Sequence, residues 1–419
     1  MRSHTEHAEI VRELLRPVLE RTAASRPEKL RIADPELVGR VAACDVLAAV
    51  TLPPFDNSQM DGYAVRAADL STDAAGPVTL PIGRTTAAGD APIRHEPGTA
   101  APVMTGAAIP IGADAVIPIE HADPPRFTEL RRAGGPAPQG TVSFSSVPAA
   151  GTFVRRAGSD RERGAQLVAV GRRLTPARIG LLAHAGVVEV AVRPRLRILL
   201  VSTGDEVAEP GSELAAGRVY DANSPLLAAA LREVGAAVEC RRVADSPESL
   251  RALIARESPN CDLIVTSGGI SAGAFEVVRD ALERIGASFA GLALQPGGPQ
   301  GCGVVDAGAG PIPVLCFPGN PVSSALSFEL FLRPLLREYA GARATRPVEE
   351  RALAHDVESP AQKHQVRRGR IDADGRVVVS GPSSHLLADL ADAEVLAHIP
   401  RGVSGLRAGD HVEVWRIDD

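Results

Sequence analysis

Residues 8–20 place Ile10, Val11, Leu14, Leu15, Val18 and Leu19 at the spacing of one helix face, so an amphipathic helix is expected to open the chain. Its apolar face needs a partner. From 55 to 148 the pattern changes to short β-like runs at 64–65, 78–82, 115–119 and 142–144, separated by glycine and proline. This predicts a small β-rich domain inserted into the N-terminal region. Residues 123–140, rich in Pro, Gly and Arg, read as an exposed loop within it.

From 195 onward strands and helices alternate. Residues 196–202 form a continuous apolar run of the kind buried on both faces of a parallel sheet. A helix is expected over 225–233, with Ser224 as N-cap and Pro225 in its first turn. A strand over 238–243 follows, then a helix capped by Asp245 or Ser246, a strand over 262–266 and a helix over 275–285. A β–loop–β stretch over 289–305 leads to a strand over 313–317 and a long helix over 321–339. Such alternation predicts a doubly wound, mostly parallel sheet with helices on both faces, whose ligands bind beyond the carboxyl ends of the strands. Residues 345–419 are strand-like at 377–379 and 411–417, with a turn at Asp374-Gly375, and predict a small β-barrel or sandwich.

The expected organisation is a multi-domain α/β protein. Residues 1–54 and 149–178 form an extended N-terminal region, 55–148 the inserted β-rich lid, 179–344 the α/β domain and 345–419 the small β-barrel.

Composition narrows the class. With 45% hydrophobic and 23% charged residues the chain is globular, and no 18-residue uncharged apolar run suggests a membrane span. Charged and imidazole side chains crowd the first ten residues, so export is not expected and a cytoplasmic location is. Five cysteines without a C-x-x-C pair argue against a disulfide framework and a zinc knuckle. A net charge of −6 gives no reason to expect nucleic-acid binding. Only Lys29 and Lys363 are lysines among the 45 basic residues; the rest are arginine.

Three loops carry the candidate chemistry: Thr203-Gly204-Asp205-Glu206, Ser267-Gly268-Gly269-Ile270-Ser271-Ala272-Gly273 and Pro318-Gly319-Asn320-Pro321-Val322-Ser323. Each leaves the carboxyl end of an expected strand, so a parallel sheet brings them to one rim. Glycines there let backbone N–H groups approach a ligand, and the helix N-termini behind them favour phosphate-like anions. A tight turn with a cap explains any one loop taken alone; three on one rim point to a single site. Asp205, Glu206, Asp221, Asp245 and Glu276 lie on the same edge and supply hard oxygen donors suited to Mg²⁺, with Asp205, Glu206, Asp245 and Glu276 as candidate ligands. Asp245 has a helix cap as an equal alternative.

Taken in order, these loops resemble the molybdopterin molybdenumtransferase family, which includes the gephyrin E domain. The match begins at Leu52-Pro53-Pro54-Phe55-Asp56-Asn57-Ser58-Gln59-Met60-Asp61-Gly62-Tyr63-Ala64-Val65 and continues at Met104-Thr105-Gly106-Ala107 and Gly112-Ala113-Asp114-Ala115-Val116. Val154-Arg155-Arg156 to Asp160, Leu174-Thr175-Pro176, Ser202 to Glu206, Tyr220-Asp221-Ala222-Asn223-Ser224, Ser267-Gly268-Gly269 and Pro318-Gly319-Asn320-Pro321 extend it. Ser384-His385-Leu386-Leu387 and Ala408-Gly409-Asp410 resemble the family's C-terminal barrel.

The resemblance implies an elongated homodimer that binds adenylylated molybdopterin and molybdate, inserts molybdenum into the dithiolene and releases AMP, with Mg²⁺ as cofactor. Other molybdenum cofactor proteins and recipient enzymes are its expected partners. Catalytic Asp61 and substrate-binding Thr105 of one chain are expected to face the other chain's site. That site is built from catalytic Asp205, Glu206 and Glu276 together with Thr203, Gly204, Asp221, Asn223, Ser224, the 267–273 and 318–323 loops, Pro296 and Gly297, and Asp160 joins the binding set.

The chain departs from the family where a lysine-bearing loop reads Gln295-Pro296-Gly297-Gly298-Pro299, followed by Gln300. Both cations are missing, although a positive φ at Gly298 would be a structural reason for glycine there. Ala274, Glu276, Val277 and Ser159 depart as well. Two functional classes follow: an active transferase with an altered anion site, or a non-catalytic pterin-binding carrier or regulator. An unrelated Rossmann-like enzyme is disfavoured because no G-x-G-x-x-G follows the first strand of the α/β domain.

Overall fold

The computed structural model describes residues 1–70, 76–127, 130, 136–270 and 276–418 of the chain. Its centre is a six-stranded sheet in the order Ala237–Val243, Arg197–Thr203, Leu263–Ser267, Ile312–Phe317, Pro299–Val305 and Ala287–Gly291. The first four strands run parallel and the last two antiparallel. Six of the seven residues of Arg197–Thr203 are buried, as its unbroken apolar run requires. Helices Pro247–Glu257 and Val277–Leu282 cover one face; Asn223–Glu233 and the long C-terminal helical stretch cover the other. That stretch is Pro321–Ser327, a π turn Phe328–Leu332 and Arg333–Tyr339. Pro334 has no N–H to donate into the preceding turn, which accounts for the interruption at that point.

The opening helix, His4–Ala24, finds its partner far along the chain. Val11, Leu15 and Val18 bury in the same cluster as Phe331 and Leu335 of the α/β domain. A capping box at Ser3 and Glu6 starts it.

The β-rich segment contains two three-stranded sheets, one ordered Ala101–Val103, Gly62–Val65, Ala115–Pro118 and the other Val78–Pro81, Thr141–Phe144, Ala122–Asp123. Gly62, inside the string that opens the family resemblance, has a structural task. A Cβ there would lie 2.1 Å from the Ile117 carbonyl oxygen, so only glycine lets these strands pair.

In the C-terminal segment the strand order is Leu294–Gln295, His364–Ile371, Val395–Ile399, His411–Arg416 and Val348–Ala352, with Val377–Val379 beside His364–Ile371. A single bridge between Leu353, next to Val348–Ala352, and Val377 brings that end of the path to Val377–Val379, so the sheet curls around its own core of Leu353, Val377, Val395 and Val414. Closure rests on that bridge rather than on a continuous ladder.

Imidazoles fasten the N-terminus to this segment. His4 stacks on His364 with ring centroids 4.1 Å apart, His364 Nε2 lies 3.1 Å from His398 Nδ1, and His398 stacks on Trp415 at 4.2 Å. Burial pushes His364 and His7 down to about 4 and His398 to about 3. Unfolded, each titrates near 6.5, so below that pH the unfolded chain binds protons that the folded chain refuses. Stability is therefore full above 6.5 and falls as pH drops toward 4, with a slope approaching ~1.4 kcal/mol per pH unit for each histidine. Urea midpoints at pH 7 and pH 5 should show this loss, and His7→Phe should flatten the slope; equal midpoints would contradict the assignment.

Candidate active site

The carboxyl ends of the parallel strands open into a cleft of about 970 Å³. The three glycine loops meet at its floor. A Cβ on Gly268, whose φ is +98°, would lie 3.3 Å from the Thr203 carbonyl oxygen, and the Cβ position of Gly319 is 3.4 Å from the Gly268 Cα. The loops touch backbone to backbone, and the positive φ of Gly268 disfavours any side chain there. Asn223 ties them together: its Nδ2 donates to Ser267 Oγ at 2.8 Å and to the Gly319 carbonyl at 2.7 Å. Its Oδ1 is buried without a partner and is an acceptor waiting for a donor.

Of the expected site residues, Thr203, Gly204, Glu206, Asp221, Asn223 and Asp245 line the cleft, as do Ser267, Gly268, Gly269 and Glu276. Pro296, Gly297, Pro318, Gly319, Asn320, Pro321 and Ser323 complete that set. Ser271 and Gly273 lie outside the described residues. Ser224 stands behind the wall, where its hydroxyl donates to the Asp221 carboxylate at 2.6 Å. Ser224 is not the N-cap: the helix runs Asn223–Glu233, and Asp221 accepts the Ser224 N–H at 2.9 Å. The cap moves back because a carboxylate three residues earlier reaches the free amide first.

The acidic rim also differs from a four-carboxylate metal site at Asp205, Glu206, Asp245 and Glu276. Among the described residues no three His, Cys, Asp or Glu side chains converge as a ready ligand group. Asp245 does not cap its helix, since Ser246 does; instead it accepts the Asp205 N–H at 2.9 Å, while Asp205 accepts the Asp245 N–H at 3.4 Å. This reciprocal clasp joins two loops and turns Asp205 away from the cleft lining. The remaining set, Glu206, Asp245 and Glu276, fits an ion that takes one or two carboxylates and completes its shell with water and phosphate oxygens, as Mg²⁺ does.

Asp61, Thr105 and Asp160 do not reach this cleft within the chain. Asp61 accepts the Thr105 N–H at 2.6 Å and its hydroxyl at 2.8 Å on an exposed surface, and Asp160 faces Arg161 at 3.5 Å.

One wall of the cleft was not foreseen: Lys363, Pro382, Ser383 and Ser384 from the C-terminal segment. Parallel pairing of Leu294 with His364 and Gln295 with Gln365 brings Lys363 beside the 295–299 loop. Among the described residues Lys363 is the cation lining the cleft, opposite Glu206, Asp221, Asp245 and Glu276. Its rarity in an arginine-rich chain was the signal that could have found it. The fully buried Arg368 donates to the carbonyls of Gly381 and Ser383 at 2.9 and 3.0 Å and so supports the serine wall.

The 295–299 loop is anchored without lysine. Gln365 donates to Gln295 Oε1 at 2.8 Å, and the buried Gln300 donates to the Gly297 carbonyl at 2.9 Å and to Ser327 Oγ at 2.6 Å. The positive φ considered for Gly298 belongs to Gly297, at +97°. A Cβ on Gly298 would make ordinary 3.5 Å contacts with the Leu292 and Leu294 carbonyls, so a side chain there is sterically admissible.

The cysteines take no part in this site. Burial raises the Cys261 and Cys316 thiols to about 12, far from the range of a nucleophile.

The fold and cleft define a doubly wound α/β protein with a cleft of glycine loops and carboxylates at the strand ends. Comparison with known proteins gives the family. Residues 2–186 match the MoeA N-terminal region (domain I and II), 199–338 the probable molybdopterin binding domain and 350–417 the MoeA C-terminal region (domain IV). The chain is 40% identical to molybdopterin molybdenumtransferase 2 of Mycobacterium tuberculosis, over 100% of both chains. It is 35% identical to the molybdopterin molybdenumtransferase of Synechococcus elongatus, over 90% of this chain and 91% of that one. A crystal structure of a molybdopterin biosynthesis MoeA protein from Pyrococcus horikosii superposes with a TM-score of 0.75 at 31% identity, covering 96% of this chain and 98% of the other. The chain belongs to the molybdopterin molybdenumtransferase family.

Proposed function

We propose that this chain is a molybdopterin molybdenumtransferase: it binds adenylylated molybdopterin in the cleft, transfers molybdenum from molybdate to the dithiolene and releases AMP. The observation that carries this reading is the meeting of three glycine loops, four cleft-lining carboxylates and one lysine around a single cavity large enough for a nucleotide-linked pterin. The relatives bear the name of the transferase, which gives the carrier or regulator alternative no support.

Backbone N–H groups of the glycine loops and the start of helix Pro321–Ser327 favour the phosphates electrostatically. Asn223 Oδ1 accepts a donor from the ligand, and Lys363 offsets the charge of the phosphates and molybdate. One or two of the cleft-lining carboxylates Glu206, Asp245 and Glu276 would hold Mg²⁺, which would supply Lewis-acid activation of the phosphoanhydride. Breaking the phosphoanhydride with water yields AMP and the pterin phosphate. Molybdate-dependent AMP release from adenylylated molybdopterin is the test. Release that ignores molybdate, or none at all, would reject transfer.

Asp61 and Thr105 are assigned to the cleft of a second copy, because they sit exposed and away from their own. In a homodimer, inactive Asp61→Asn and inactive Glu206→Gln chains allowed to exchange should regain roughly a quarter of the sites, since half the dimers are mixed and each has one unmutated site. A mixture that stays silent after proven exchange places both residues in one chain's site. The free cysteines suit a reducing compartment, so the cytoplasm is the expected location.

A further inference from the structure

We infer a second anion site at the opposite end of the sheet, between the N-terminal region and the α/β domain, for a small tetrahedral oxyanion carrying two charges, such as sulfate, hydrogen phosphate or molybdate. A recess of about 130 Å³ lies beneath the amino ends of strands Arg197–Thr203 and Ala237–Val243, and six arginines line it: Arg40, Arg173, Arg193, Arg195, Arg232 and Arg337. Glu233 is its one acidic lining residue.

Two of the six are already matched. Arg40 pairs with Glu28 at 2.6 Å, and Arg195 lies 3.7 Å from Glu36, although its Nε is buried without a partner. Among the described residues Arg173, Arg193, Arg232 and Arg337 have no carboxylate within ion-pair distance. Arg232 and Arg337 donate to the carbonyls of Val238 at 3.3 Å and Arg343 at 3.2 Å.

A purely structural explanation would let these cations complement helix ends, for Asn223–Glu233 and Arg333–Tyr339 both terminate here. That explanation falls short in magnitude. Each helix C-terminus supplies about half a negative charge, so with Glu233 they offset about two of the four unmatched guanidiniums. About two positive charges remain, which is the charge of one dianion. Size is compatible: a recess of about 130 Å³ admits an oxyanion of five heavy atoms. Guanidinium forks match tetrahedral oxyanions in geometry. Because Arg40 and Arg173 come from the N-terminal region and the others from the α/β domain or its entry strand, a bound dianion ties the two together.

Titration calorimetry and thermal unfolding of the full chain, in chloride buffer at fixed ionic strength, test this with sulfate, phosphate and molybdate separately. The expected result is saturable binding that raises Tm, weakened at least tenfold in Arg193→Gln and, independently, in Arg173→Gln. Lys363→Met should leave it unchanged, and both arginine variants should keep molybdate-dependent AMP release. Saturable binding of molybdate alone, lost in the arginine variants, also supports the site and narrows its ligand. A Tm that climbs linearly without saturation reports general salt exclusion and overturns the proposal. So does binding that is an adventitious ion only, unaffected by either arginine variant, or binding lost in Lys363→Met, which belongs to the cleft.

Discussion

Glu206→Gln should lower kcat for AMP release by on the order of 10²–10³ while leaving the unfolding midpoint within experimental reach of the parent. The first half follows from removing one preorganised charge at a site where charge develops. The second follows from exposure: Glu206 lies at the surface of its loop, and surface changes away from caps and cores cost within about ±0.5 kcal/mol. Asp205→Asn provides the contrast. Asp205 is held in the clasp with Asp245 and does not line the cleft, so its neutral variant should lose less turnover and more loop stability. Full activity in Glu206→Gln would remove that carboxylate from the mechanism and leave Asp245 and Glu276 as its carboxylates.

The division between legible and illegible features follows sequence distance. The run 196–202 needs burial on both faces whatever surrounds it, so the central strand was readable from its own residues. The glycine loops were readable because their positions after strands fix where a parallel sheet must put them. By contrast, the serine wall and Lys363 reach the cleft through pairing of Leu294 with His364, seventy positions apart, and no local pattern encodes that register. The partner of the opening helix was hidden for the same reason, since Phe331 and Leu335 lie at the far end of the α/β domain. At short range the cap expected at Ser224 failed, whereas of the two caps offered for the next helix, Asp245 or Ser246, the structure takes Ser246. Ser224 and Asp245 both have capping chemistry, but Asp221 takes the Ser224 N–H, and Asp245 is engaged with the Asp205 N–H while Ser246 accepts from Ser249. Within the 267–273 loop, residues 271–273 lie outside the described residues, so Ser271 and Gly273 remain expectations from sequence.

Lys363→Met should raise the KM for molybdate about 10- to 100-fold with a smaller change in kcat, the size expected when one charge-assisted contact of ~1.5–3 kcal/mol is lost. Methionine keeps most of the stem's length and packing, so the change isolates the charge; Lys363 is half-buried and no core cavity opens. Lys363→Arg should retain much of the affinity, which separates charge from shape. The argument is electrostatic. An anion that enters a cleft lined by Glu206, Asp221, Asp245 and Glu276 meets like charge, and the 295–299 loop offers no cation to offset it. If that deficit is real, placing a lysine on the loop should relieve it. Gly298→Lys is sterically admissible, whereas Gln295→Lys gives up the acceptor that Gln365 uses. Gly298→Lys in the Lys363→Met background should therefore recover a substantial part of the lost molybdate affinity, and Gln295→Lys less of it. An unchanged KM in Lys363→Met would show that the lysine does not face the anion, and the cleft would then need its positive charge from the metal ion and the backbone amides alone.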